Sequence, residues 1–79
     1  MIKSVLVTGG STATGPFICK AFADLGAHVA LTYFTEPQGA EETASYVREK
    51  GLTSKTYRLD MVDQSSIDSF LRQLMRDWK

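Results

Sequence analysis

Apolar and polar positions alternate in blocks along the chain, and the first blocks indicate a strand followed by a helix. Residues 2–8 predict a strand, and the continuous apolar run from Val5 to Val7 indicates that it is covered on both faces. An amphipathic pattern with helical spacing then extends from Phe17 to Leu25. Gly26 follows at the position where a glycine commonly ends a helix.

The second strand and the second helix repeat this order. Residues 28–33 predict the strand, and a loop containing Pro37 and Gly39 separates it from a helix over residues 40–50. Glutamates in the predicted first turn of this helix, and basic residues in its last turn, suit the helix dipole. Gly51 then ends the helix.

The last strand and helix complete a regular alternation. Residues 54–59 predict a strand that is less apolar than the other two and is therefore expected near a sheet edge. Asp63 is placed to cap a final helix, whose apolar residues keep helical spacing from Ile67 to Trp78. The order βαβαβα with short connections predicts an α/β fold over residues 1–79. It is half of a Rossmann fold, with three parallel strands in the order 3-2-1.

Composition and charge narrow the classes of function. Nine basic and nine acidic residues cancel, so no net field attracts nucleic acid or an anionic membrane. No segment approaches the ~20 apolar residues of a membrane span. Cys19 is the only cysteine, which excludes an internal disulfide and a cysteine-based metal site. Because no leader pattern precedes the first strand, we expect a cytoplasmic protein without a metal, a nucleic-acid partner or a membrane partner.

The loop after the first strand carries the main chemical signal, in the sequence Thr8-Gly9-Gly10-Ser11-Thr12-Ala13-Thr14-Gly15. A glycine-rich turn between a buried strand and a helix aims helix N–H groups and the positive end of the helix dipole at a phosphate. The glycine spacing is that of a P-loop, but Pro16 and Phe17 stand where the lysine and hydroxyl are needed. The G-x-G-x-x-G fingerprint is not met literally either.

The third interpretation is that this turn resembles the T-G-x-x-x-G-x-G turn of the short-chain dehydrogenase/reductase family. The resemblance extends over the whole chain, because the family's third strand ends in Asp plus an apolar residue, matched here by Asp60-Met61. Ser11, the helix exit over residues 23–27 and residues 60–67 look most like 3-oxoacyl-[acyl-carrier-protein] reductases. The resemblance implies binding of NAD(H) or NADP(H), and hydride transfer between carbonyl and alcohol in the family.

The glycine-rich turn supplies most of the candidate cofactor contacts. Gly9 allows the tight exit from the first strand, and Gly15 allows the helix to pack closely on that strand. Ser11 and Thr12 can donate hydroxyls to phosphate or ribose oxygens. The candidate cofactor-binding residues are Gly9, Ser11, Thr12, Ala13, Thr14, Gly15, Tyr33, Asp60 and Met61.

The other contacts come from the ends of strands two and three. The resemblance implies that Asp60 accepts a hydrogen bond from the adenine amino group while the Met61 backbone reads a ring nitrogen. The alternative for Asp60 is a turn-forming loop carboxylate. An acidic residue at the end of strand two would bond the ribose hydroxyls and repel a 2′-phosphate. Tyr33 ends that strand and Glu36 follows only in the loop, so we expect NADP(H) over NAD(H), without an obvious arginine for the phosphate.

The turn departs from the family pattern at two positions. Ala13 stands at the middle glycine, where its Cβ would crowd a pyrophosphate or resist a positive φ. Thr14-Gly15-Pro16 replaces the usual apolar-Gly-basic continuation. Either cofactor binding is weakened or the loop takes another shape.

Tyr46 and Lys50 have the Tyr-x-x-x-Lys spacing of the family's catalytic pair. They fall on the helix between strands two and three, on the adenosine half of the fold, so we expect a packed aromatic residue and a helix-dipole partner. No catalytic residue is assigned, because the family's Ser-Tyr-Lys set comes from later segments. The leading hypothesis is therefore a truncated or fragmentary cofactor-binding N-terminal segment of a short-chain oxidoreductase, not catalytic by itself. The alternative is a non-enzymatic or degenerate dinucleotide-binding module that assembles with another chain.

Assembly is expected because the predicted half-fold leaves surfaces uncovered. The first strand has no fourth strand beside it, so its outer edge is open to pairing. Reversal after strand three should place the last helix on the opposite face of the sheet, where no companion helix shields Phe70, Leu74 and Trp78. We expect a homo-oligomer or a complementing chain, joined through strand one and the last helix.

Overall fold

Three parallel strands form the centre of the molecule, and a helix follows each of them. The computed structural model describes residues 3–9 and 14–78. Its elements are β1 (Ser4–Val7), α1 (Gly15–Asp24), β2 (His28–Tyr33), α2 (Pro37–Glu49), β3 (Ser54–Arg58) and α3 (Gln64–Asp77). The strands lie in the order β1-β2-β3, with Ser4 opposite His28 and Val29 opposite Ser54. The predicted half-Rossmann topology is confirmed.

Helices α1 and α2 cover one face of the sheet. Val29 and Leu31, alternate residues of β2, are fully buried there. Cys19 of α1 lies in the same cluster, and α2 contributes Ala40, Ala44 and Val47 to it. Cys19 is thus a packing residue, and burial raises the pKa of its thiol.

The buried side of α1 is not the one that its large apolar residues suggested. The helix buries its small residues, Gly15, Cys19 and Ala23, while Phe17 is 74% exposed and Leu25 is 80% exposed. Small side chains let the helix approach the sheet closely, so the larger ones on the neighbouring stripe are left outside the core. The helix was predicted correctly and its buried face was not.

Helix α3 packs on the opposite face, as the predicted reversal requires. Phe70 lies against Ala30 and Tyr57, and the two aromatic rings meet edge to face with centroids 5.5 Å apart. The Tyr57 hydroxyl donates to Asp77 at 2.9 Å and accepts from the Trp78 indole N–H at 2.8 Å. These bonds hold the last turn of α3 against β3.

The expected exposed surface of α3 needs a correction. Phe70 is buried, and Leu74 and Trp78 are half-buried, because Tyr57 and the sheet cover them. The apolar residues that α3 leaves exposed are Leu71 and Met75. The expectation for Phe70, Leu74 and Trp78 was therefore wrong, and the exposed apolar residues of the helix lie on a different side of it.

One helix boundary and the burial of one strand also differ from expectation. Helix α2 begins at Pro37 instead of residue 40, because proline suits the first helical position, where its missing N–H costs nothing. Its glutamates consequently lie beyond the first turn, which carries no acidic residue. Strand β1 is also not covered on both faces, since Leu6 is 45% exposed.

Other local signals were interpreted correctly. Gly26 has a φ of 88° just beyond α1, a conformation that favours glycine. The Asp63 carboxylate accepts from the Ser65 amide at 3.0 Å and caps α3, and β3 occupies a sheet edge. None of the helices in the described part of the chain has both the length and the apolar character to cross a bilayer.

Candidate functional site

A pocket of about 300 Å³ lies where the three parallel strands end. In open α/β sheets, ligands bind outside the carboxyl ends of the strands. The pocket contains three of the sequence-predicted residues, one from the end of each strand: Gly9, Tyr33 and Met61. Among the described residues, its lining consists of Thr8, Gly9, Thr32, Tyr33, Phe34, Thr35, Glu36, Leu59 and Met61.

A hydrogen bond from the glycine-rich turn to β2 positions the start of that turn. Gly9 has a φ of 72°, and its amide N–H donates to the Thr32 hydroxyl oxygen at 3.1 Å. Thr32 is only 3% exposed, so its hydroxyl reaches Gly9 from the core of β2. The bond joins the ends of β1 and β2, between which the pocket opens.

Thr32 was missed from the sequence because a β-branched residue in an apolar strand is ordinarily interpreted as core filling. A signal was available, however. Thr32 carries the only side-chain hydroxyl between His28 and Tyr33, and it stands where the strand is about to end. A hydroxyl there can satisfy the first backbone groups of an adjacent turn.

Helix α1 begins at Gly15, the last residue of the glycine-rich turn. Thr14 is the N-cap residue, and its side chain makes no capping hydrogen bond. Gly15 is buried, and Pro16 occupies the first turn as expected. Of the remaining candidate contacts in the turn, Ser11, Thr12 and Ala13 lie outside the described residues.

Asp60 lies half-buried between β3 and α3. Its carboxylate accepts from the Val62 amide at 3.1 Å, and its own amide donates to the Ser66 hydroxyl at 3.0 Å. The described pocket lining includes Leu59 and Met61, on either side of Asp60 in the chain, but not Asp60 itself. A carboxylate can accept about four hydrogen bonds, so Asp60 can accept the bond from Val62 and still accept one from a ligand.

Tyr46 and Lys50 are not brought to this pocket. The Tyr46 hydroxyl donates to Asp24 at 3.0 Å, and the Lys50 ammonium lies 3.0 Å from the same carboxylate oxygen. Hydrogen bonds from Lys50 and then Tyr46 hold the pKa of Asp24 below its usual value, and Asp24 in turn raises the pKa of Lys50. The pair therefore joins α2 to α1, as a packed aromatic residue and a cation with a carboxylate partner.

The fold is a Rossmann-like α/β half-fold, and its pocket lies at the carboxyl ends of the parallel strands. The family model described as short chain dehydrogenase matches residues 3–79. The chain therefore belongs to the short-chain dehydrogenase family.

Three similar proteins define the extent of the match. An NADP-dependent mannitol dehydrogenase of Hypocrea jecorina is 33% identical over 79 aligned residues, which cover 96% of this chain and 30% of that protein. A short-chain dehydrogenase/reductase from Serratia marcescens has a TM-score of 0.85 and 33% identity, covering 96% of this chain and 31% of that one. An NAD+-bound xylitol dehydrogenase has a TM-score of 0.85 and 27% identity, covering 95% and 28%.

These matches confirm the family and leave the subfamily open. This chain spans about 30% of the length of the mannitol dehydrogenase it matches. Two of the three proteins are named for sugar alcohols, and none of the three is named as a 3-oxoacyl-[acyl-carrier-protein] reductase. The mannitol enzyme is named for NADP, whereas the xylitol enzyme is bound to NAD+.

Proposed function

We propose that this chain is the cofactor-binding segment of an NAD(P)(H)-dependent short-chain oxidoreductase and is not catalytic by itself. The observation that carries the proposal is the pocket between the Gly9 turn and the ends of β2 and β3. Its lining suits an adenosine group, because Leu59 and Met61 offer apolar surface to a base while Glu36 offers a carboxylate to ribose hydroxyls.

The glycine-rich turn would hold the phosphates in this arrangement. Gly9 is fixed by Thr32 at one end of the turn, and Gly15 begins α1 at the other. Ser11 and Thr12 would then supply hydroxyls to phosphate or ribose oxygens, beside the positive end of the α1 dipole. When bound, the dinucleotide would supply the nicotinamide ring that carries the hydride.

We propose that the chain is not catalytic by itself because the only residues with the Tyr-x-x-x-Lys spacing lie away from the pocket. Tyr46 and Lys50 both engage Asp24 on the outer surface of α1 and α2. Neither is among the residues that line the pocket. A proton donor for a developing alkoxide would have to come from elsewhere.

For the complete oxidoreductase, a polyol or ketose is the best-supported substrate class. The names of the mannitol and xylitol relatives support it. The resemblance of residues 23–27 and 60–67 to 3-oxoacyl-[acyl-carrier-protein] reductases supports a second class, the 3-oxoacyl thioesters. Preference for NADP(H) over NAD(H) is proposed because neither Tyr33 nor Phe34, at the end of β2, is acidic.

Amide chemical shifts of the 15N-labelled chain test cofactor binding directly. Titration with NADPH, NADH and 5′-AMP should move the signals of Gly9, Phe34 and Met61, because adenosine is common to the three ligands. Ser69 and Arg72, on the polar side of α3, serve as internal controls. The proposal fails if no signals move at millimolar ligand, or if those of α3 move instead.

A second role, association with another chain, is favoured by the surfaces around β1. Among the described strands, β1 pairs with β2 alone, so its other edge is open. An apolar groove of about 190 Å³ lies on the α3 side of that edge, where Leu6 meets Leu74, Met75 and Trp78. We therefore propose a homo-oligomer or a complementing chain joined through β1 and α3, which is also the arrangement a non-enzymatic binding module would need.

A smaller groove on the other face of the sheet extends this proposed surface. It lies between Val5 of β1 and the exposed side of α1, where Phe22 and Leu25 contribute apolar surface. A partner strand paired along β1 would therefore have apolar surface available on both faces.

A further inference from the structure

Arg58 is a cation at the carboxyl edge of the sheet that the sequence did not single out. It is the last residue of β3 and stands opposite Tyr33 in the parallel register. Its guanidinium carbon lies 5.1 Å from the centroid of the Phe34 ring. Tyr33 and Phe34 both line the candidate pocket, so Arg58 lies next to that pocket, although it is not itself one of the lining residues.

The surroundings of Arg58 leave its charge accessible. The ion pairs recorded among the described residues involve Arg48 and Arg76 but not Arg58. The nearby carboxylate of Asp63 has a lowered pKa, caused mainly by the Ser65 hydroxyl and only in small part by Arg58. A guanidinium over an aromatic face is held in position without losing its hydrogen-bond donors.

We propose that Arg58, held over Phe34, binds the 2′-phosphate of an adenosine ribose and thereby makes the pocket prefer NADP(H). This inference rests on the proposed function. A guanidinium presents its donors in a planar fork that matches phosphate oxygens, and the pairing is charge-assisted. Tyr33 and Phe34 also place no acidic side chain at the end of β2.

Glu36 provides the opposing preference within the same pocket. Glu36 lines the pocket from the loop after Phe34. A carboxylate accepts hydrogen bonds from free ribose hydroxyls and repels a phosphate, so it favours NAD(H). Cofactor choice then depends on a balance between Arg58 and Glu36, and changes at the two positions should act in opposite directions.

Matched ligands separate the phosphate contribution from general binding. The full chain is titrated by calorimetry with NADPH against NADH, and with 2′,5′-ADP against 5′-AMP. Arg58→Gln should weaken the binding of NADPH and of 2′,5′-ADP by roughly 10- to 100-fold, the range for a hydrogen bond to a charged group. The affinities for NADH and 5′-AMP should change by no more than about twofold, because these ligands have no 2′-phosphate contact to lose.

Three further variants complete the design. Glu36→Gln should raise the ratio of NADPH to NADH affinity. Arg58→Lys should keep part of the preference, because charge is retained while the planar fork is lost. Arg72→Gln removes an exposed arginine from the polar side of α3 and should change neither affinity. Circular dichroism and a thermal melt establish that each variant is folded.

The possible failures are distinguishable. If Arg58→Gln weakens the binding of both ligands of a pair equally, or of neither ligand, the inference is wrong while the proposed function stands. If the unmodified chain binds none of the four ligands, the proposed function fails and the inference fails with it. Rising salt concentration should weaken the binding of NADPH more than that of NADH to the unmodified chain, and this difference should disappear in Arg58→Gln.

Discussion

Replacing Thr32 by valine removes the hydroxyl that holds the glycine-rich turn and leaves the side-chain shape almost unchanged. The Gly9 amide then loses its acceptor at 3.1 Å. A buried donor left without a partner costs about 1–3 kcal/mol. Gly9 itself is exposed, so water can replace part of the lost bond and the lower end of this range applies. We expect a loss of about 1 kcal/mol in the free energy of unfolding, which lowers the Tm of a domain of this size by roughly 4–8 °C.

Urea denaturation measures this loss. All variants are compared at one protein concentration, because self-association would make the apparent stability depend on concentration. Thr56→Val is the matched control, because it makes the same chemical change at a half-buried position of β3. Hydrogen exchange at the Gly9 amide gives a local readout, and it should accelerate in Thr32→Val alone. Unchanged stability together with unchanged exchange at Gly9 would refute the anchoring role of Thr32.

Four further outcomes are expected. Asp60→Ala should weaken binding of 5′-AMP, measured by calorimetry, whereas Asp60→Asn, which can still accept the turn hydrogen bond, separates turn formation from ligand contact. Ala13→Gly should tighten NADPH binding if a Cβ crowds the phosphates; no gain would mean that the loop already avoids the clash. Hydrogen bonds from Ser65 lower the pKa of Asp63 below its ordinary value of 3.8. The ionised Asp63 cap therefore stabilises the folded chain above that value, and this contribution is lost as pH falls through the lowered pKa. Asp63→Ala should reduce the free energy of unfolding at neutral pH and leave it equal to that of the unmodified chain in acid. Leu6→Lys should shift light-scattering masses toward the monomer across a dilution series, and persistence of the assembly would place the interface away from β1.

The order of the elements, the parallel sheet and the helix reversal after β3 were all predictable from the sequence. Periods of two and 3.6 residues are local properties of a chain. Short connections and right-handed crossovers then leave few topologies for βαβαβα. The glycine-rich turn after β1 and Asp60-Met61 after β3 also predicted the family, because they mark the carboxyl edge of the sheet through local sequence alone.

The partners of individual side chains were decided only by the tertiary structure. Thr32 bonds Gly9 across a separation of 23 residues, and Arg58 stands over Phe34 because β2 and β3 pair in one particular register. The face that α1 buries depends on how closely the helix can approach the sheet, which favours Cys19 and leaves Leu25 outside. A periodic pattern shows that a residue lies on a helix or a strand. Which side chain meets it is set by register and helix rotation, and these depend on packing among elements that are distant in the chain.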